Sequence, residues 1–154
     1  MVSVGKRVAN FSLPATGDKQ ISLDDFKGKN LVLYFYPKDH TPGCTTEGRN
    51  FRDTYDEFQS ANTEILGVSR DSVKTHENFC AKQSFPFDLL SDGDEKLCRQ
   101  FDVIREKSLY GRKFMGIVRS TFLIDGEGVL QREWRKVRVK GHVEEVLEAA
   151  RELV

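Results

Sequence analysis

The chain has 154 residues, and its 24 basic and 24 acidic side chains give a formal net charge of zero. That length predicts one domain spanning residues 1–154, which buries roughly 68–70% of its unfolded surface and needs no disulfide staple. Zero net charge argues against a dedicated nucleic-acid or membrane-surface binder, and no apolar run approaches the ~18 residues of a membrane span. Three cysteines are too few, and odd in number, for a secreted disulfide framework. Residues Met1–Arg7 carry no apolar signal segment. A reducing cytoplasm is the expected compartment.

In chain order, Phe11-Ser12-Leu13 and Ile21-Ser22-Leu23 flank a Gly17-Asp18 turn and predict a hairpin. Leu31–Tyr36 is an unbroken apolar run, the pattern of a central strand buried on both faces. A helix is expected to begin at Pro42, because proline suits the first helical position, and Phe51, Tyr55 and Phe58 give that helix one apolar face. Ile65–Ser69 reads as a second buried strand. Asp71 or Ser72 can cap a helix carrying Val73, His76, Phe79 and Cys80. Phe87–Leu90 is a third strand, and Leu97 and Phe101 mark a short helix. Ser120–Ile124 and Val129–Trp134 surround Asp125-Gly126-Glu127-Gly128, a hairpin signal, and Val143, Val146, Leu147 and Ala150 line a last helix. Helical crossovers between apolar strands imply parallel pairing, and the late hairpin implies antiparallel pairing. The expected fold is α/β, a mixed central sheet flanked by helices with an N-terminal β-hairpin, the form of the thioredoxin fold.

The stretch Pro37-Lys38-Asp39-His40-Thr41-Pro42-Gly43-Cys44-Thr45-Thr46-Glu47 places a cysteine in the first turn of a helix directly after the central strand. A helix start offers unpaired N–H groups and partial positive charge, which favour the nucleophilic thiolate. The Thr41 hydroxyl can accept from the thiol or donate to a bound oxygen, and it can equally serve as an ordinary N-cap. Pro42 fixes the turn and shields the site, and Gly43 lets backbone N–H groups approach a ligand closely.

These residues carry a family resemblance. Proline, threonine four residues on, cysteine three further and glutamate three beyond that resemble the peroxidatic motif of peroxiredoxins, and PKDHTPGCTTE resembles their bacterioferritin-comigratory (peroxiredoxin Q) branch. Val8–Pro14, Phe85–Asp92 and Arg119–Asp125 are similar to further segments of that branch, so the resemblance covers nearly the whole chain. It implies a thioredoxin-like fold and a thiol peroxidase acting on hydrogen peroxide and organic hydroperoxides. Cys44 would be the attacking thiol. Arg119 would be its charge partner, since a guanidinium stabilises a thiolate without competing for its proton. Glu47 is placed to orient an arginine, although an acid in a first helical turn is also favourable alone. Many relatives carry a resolving cysteine five residues after the first. Arg49 stands there, and Cys80, in the following helix, matches a second set of relatives that resolve from that position. The resemblance implies an intramolecular Cys44–Cys80 disulfide recycled by thioredoxin, in a monomer. Displacement chemistry of this kind calls for no metal, haem or flavin. No Cys-x-x-Cys is present, and Cys98, beside Leu97 and Phe101, reads as structural. Two other readings stay open: a one-cysteine peroxidase resolved by an external thiol, and a redox-inactive binding or holdase module. The basic stretch 131–140 fits a half-exposed strand better than a polyanion site.

Overall fold

A computed structural model describes residues 1–153. Seven strands form the main sheet: β1 Ser12–Ala15, β2 Lys19–Ser22, β3 Asn30–Phe35, β4 Thr63–Ser69, β5 Asp88–Ser91, β8 Ser120–Ile124 and β9 Leu130–Arg135. Their spatial order is β2-β1-β5-β4-β3-β8-β9. The pairs β3/β4 and β4/β5 are parallel, and the others are antiparallel. This is the expected mixed sheet. The helices are α1 Pro42–Asp53, α2 Tyr55–Ser60, α3 Val73–Gln83, α4 Lys96–Gln100 and α5 His142–Glu152, with a 3-10 turn at Leu23–Phe26.

Strand alternation sorts the core into two layers. Leu31, Leu33 and Phe35 of β3 face one side, where Leu66, Val68, Leu90, Phe122, Leu97, Cys98 and Phe101 complete a cluster. Val32 and Tyr34 face the other side, packing with Phe51 of α1, Phe58 of α2, Phe79 of α3, and Val143 and Val146 of α5. Every residue of β3 is buried, which explains its uninterrupted apolar run.

Three features depart from the sequence reading. The predicted helix through Phe51, Tyr55 and Phe58 breaks at Thr54, whose hydroxyl donates to the Asn50 carbonyl at 2.8 Å. Competition of this kind from a threonine side chain weakens the helical ladder. Residues 104–117, to which no element was assigned, form a separate hairpin, β6 Ile104–Leu109 and β7 Arg112–Ile117. Its turn, Tyr110-Gly111, has φ of +53° and +76°, the left-handed pair that a tight two-residue hairpin requires. The hairpin enters the core at its base, through Ile104 and Ile117, and Arg70 Nη1 donates to the Met115 carbonyl at 3.3 Å. Lastly, β9 ends at Arg135, so Val137 and Val139 do not belong to a strand. Lys136 adopts φ of +54°, which turns the chain out of the sheet. Two of the basic residues there have internal partners: Arg132 lies over Trp134 at 4.8 Å and Arg135 over Phe122 at 5.1 Å.

Candidate active site

The site lies where β3 ends. The β3/β8 register pairs Phe35 with Ser120, so Arg119 enters the sheet beside the residue at which the chain leaves β3. The loop 36–41 then turns through His40, whose φ is +64°, into α1. Pro42 occupies the first helical position, as expected, and Cys44 is the third helical residue, 2% exposed. Thr41 is the N-cap by backbone conformation, but its side chain caps nothing. Its hydroxyl donates to the Lys38 carbonyl at 2.8 Å instead of bonding the thiol. The first intrahelical bond runs from the Thr45 N–H to the Thr41 carbonyl at 2.9 Å. The N–H groups of Gly43 and Cys44 precede it and have no helical acceptor.

Arg119 joins the functional groups. Its Nη2 donates to Cys44 Sγ at 3.3 Å and its Nη1 to Glu47 Oε1 at 2.6 Å. Burial opposes the guanidinium charge, but Glu47 and Cys44 more than offset it and hold Arg119 above its ordinary pKa. Glu47 is 0% exposed and its Oε2 has no partner. Burial pushes its pKa up to about 7 despite the adjacent arginine. Here the cost of desolvating a carboxylate exceeds the gain from one ion pair. Gly43 earns its place sterically, since a Cβ there would lie 3.2 Å from Arg119 Nη2. Pro37 is half-buried at the start of the loop.

Cys80 lies in α3 on the same side of the sheet, packed against the cluster that contains Cys44. It is half-buried, 3.9 Å from the Phe87 carbonyl, and all three cysteines are free thiols. Burial, then Asp88, Asp39 and Glu77, push the Cys80 thiol up to about 12. Tyr34 lies within the electrostatic reach of both thiols, and burial above all keeps its phenol protonated. Cys98 lies in the opposite core layer. Arg49, at the position of the nearer resolver, is exposed, whereas its neighbour Gly48 is buried against Phe85. A Cβ on Gly48 would fall 2.4 Å from the Phe85 ring.

Two groups near the site escaped the sequence reading. Lys107 of β6 bends back to donate to the Ile117 carbonyl. Burial, then Arg119 and Arg70, lower its pKa, while Cys44 acts in the opposite sense. The second is a polar cluster of Tyr36, Asp39, Asp71 and His76. Asp39 lay in the quoted motif and His76 on the apolar stripe of α3, but their pairing spans 37 positions of chain and leaves no local signal.

A buried thiol at an uncapped helix start, facing a half-buried arginine paired with a buried glutamate on a thioredoxin-like sheet, fits a thiol-peroxidase architecture. The chain belongs to the AhpC/TSA family, whose pattern matches residues 4–133. Within that family it stands with the Bcp/PrxQ peroxiredoxins. It is 58% identical to peroxiredoxin Bcp of Xanthomonas campestris over 92% of this chain and 89% of that one. It is 47% identical to peroxiredoxin Bcp of Bacillus subtilis, over 99% and 97%. A solved PrxQ cysteine-to-serine mutant from Xylella fastidiosa superposes with a TM-score of 0.94 at 46% identity, covering 99% of this chain and 98% of that one. A structure of the X. campestris protein, studied for alkyl peroxide reduction with trapped intermediates and ligands, gives 0.89 at 55% identity over 93% and 91%. Two further X. campestris structures each replace one cysteine by serine, and the interval between those cysteines equals that between Cys44 and Cys80.

Proposed function

We propose that this peroxiredoxin reduces hydrogen peroxide and organic hydroperoxides through Cys44, resolves through Cys80 and is recycled by thioredoxin as a cytoplasmic monomer. The observation that carries the reading is the single guanidinium bridging Cys44 Sγ and buried Glu47. Cys44 thiolate attacks one peroxide oxygen. The S–O bond forms, the O–O bond breaks, and the leaving oxygen departs as water or alcohol after taking a proton. Arg119 stabilises charge on that oxygen as it builds, and the free N–H groups of Gly43 and Cys44 cradle the peroxide. The Thr41 hydroxyl, fixed by its bond to Lys38, presents its oxygen lone pairs to the peroxide proton. Cys44 becomes a sulfenic acid, and Cys80 condenses with it, releasing water and forming the disulfide. A dithiol protein then supplies two electrons through exchange.

One observation favours the one-cysteine alternative. Cys80 in its folded position is a poor nucleophile, because its surroundings hold it as the protonated thiol. The two-cysteine route is expected to open α3, in which Cys80 is half-buried. Cys80→Ser decides between the two. With one equivalent of peroxide, this variant is expected to oxidise Cys44 at the normal rate, then accumulate sulfenic acid and lose thioredoxin-linked turnover. Full thioredoxin-linked turnover would assign resolution to an outside thiol.

A further inference from the structure

Asp39 and His76 have side chains that are 0% exposed, yet neither is hydrogen-bonded to Cys44, Glu47 or Arg119. His76 Nε2 lies 2.9 Å from the Leu90 carbonyl oxygen, which can only accept, so Nε2 carries a hydrogen. The 2.6 Å contact between Nδ1 and Asp39 Oδ2 then holds one further proton between the two residues. The other Asp39 oxygen accepts from the Tyr36 hydroxyl at 2.6 Å. The Asp39 N–H donates to Asp71 Oδ2 at 2.9 Å, an oxygen that also accepts from Ser69 at 2.5 Å. The loop that leads into Cys44 is thus fastened to α3 and the residue before its cap. Four residues after His76, on the same face of α3, comes Cys80.

The remainder of α3 is held less firmly. Beyond His76 only Phe79 is buried, and the helix ends at Ser84 in a left-handed conformation, φ +56°. Unwinding that end frees Phe79 from Tyr36, His40 and Phe85 and releases the Arg52 bond to the Gln83 carbonyl, but it leaves no buried polar side chain of α3 without a partner. Unwinding through His76 strands two buried polar groups, a strongly unfavourable change.

We propose that Asp39 and His76 are positioning residues that set where the molecule opens when Cys44 and Cys80 join. Residues 36–41 and the first turn of α3 stay docked, while the first turns of α1 and the end of α3 unwind. The pair thereby limits how often the thiols meet and returns Cys44 to an intact loop after reduction. This rests on the two-cysteine reading.

The test separates two steps. One equivalent of peroxide is mixed with the reduced chain, and Cys44 oxidation and disulfide formation are timed independently. Hydrogen exchange is then measured on both redox forms. In the unaltered chain the disulfide form is expected to lose protection over 44–50 and 77–84 and to keep it at the Asp39 and His76 amides. His76→Leu and Asp39→Asn are each expected to raise the ratio of disulfide formation to Cys44 oxidation roughly five- to tenfold, the effect of weakening one buried hydrogen bond. Both should extend the loss of protection to Asp39 and His76. Asp39→Asn is nearly isosteric and serves if the histidine variant folds poorly. The double variant should change no further than the larger single one, as a coupled pair requires. A merely structural pair would lower thermal stability and leave the ratio unchanged. A mapped Cys44–Cys80 disulfide with that ratio and exchange pattern unaltered in the variants overturns this inference alone. An unaltered chain that forms no such disulfide overturns the two-cysteine reading and this inference together.

Discussion

Cys44 and Cys98 occupy the same local position: each is the third residue of a helix, and each is buried, at 2% and 0% exposure. Their surroundings differ. At α4 the first N–H groups are already taken, because Leu97 and Cys98 donate to the two oxygens of Asp92 at 3.1 and 2.7 Å. Burial and that carboxylate then drive the Cys98 thiol far above its ordinary pKa. At α1 the cap side chain leaves the N–H groups open, and a guanidinium faces the sulfur. On the proposed reading, a helix start is not enough by itself to make a cysteine reactive. What matters is whether its positive end is still available and which charge stands opposite.

The largest test of this contrast is replacement of each thiol. Cys44→Ser is expected to reduce peroxide consumption to the uncatalysed background, whereas Cys98→Ser retains the full rate per folded molecule. A Cys98→Ser chain without activity, yet folded by circular dichroism, would break the comparison. Next comes the facing charge. Arg119→Ala should slow Cys44 oxidation by roughly 10²–10³, the usual cost of removing one preorganised donor, as stopped-flow mixing would measure. An unchanged rate would leave the open helix end as the whole explanation.

A subtler difference concerns protons. Glu47 has an ordinary pKa of 4.5 and is raised to about 7 in the fold. Between those values the folded chain keeps a proton that the unfolded chain has released, so folding stability falls as pH rises across that window. The fall is on the order of 3 kcal/mol, and Glu47→Gln should flatten it in denaturant titrations at pH 4.5 and 7.5. A wild-type profile that is already flat would mean the Arg119 pair outweighs burial. The smallest effect belongs to the inert site: Cys98→Ser should cost about 1–3 kcal/mol of stability, because it places a hydroxyl in an apolar layer.

Much of this was legible in the sequence. The apolar run before Thr-Pro-Gly-Cys located β3 and α1, and the Arg119 guanidinium lies 3.3 Å from Cys44 Sγ. The hairpin of residues 104–117 was missed because it touches the core only at its base. Arg105, Glu106, Lys107, Arg112 and Lys113 therefore replace the apolar alternation that marks a half-buried strand. In the sequence, Cys98 reads as structural from its apolar neighbours alone. Asp92, six residues before Cys98, supplies the stronger reason, but its role depends on a loop geometry that the spacing does not reveal. His76 was placed on an apolar stripe and is indeed buried, but as one end of a polar pair.

The two-layered core carries one more consequence. Three thiols admit three pairings, and a protein that repeatedly made sulfenic acid, as proposed above, would be exposed to each of them. The sheet works as a wall between compartments: Cys44 and Cys80 share one side, and Cys98 is sealed into the other. Two of the pairings would require a thiol to pass through a closed hydrogen-bonded layer. On that proposal the architecture disfavours disulfide scrambling, and the chain would carry a spare cysteine through repeated oxidation without trapping itself in the wrong bond.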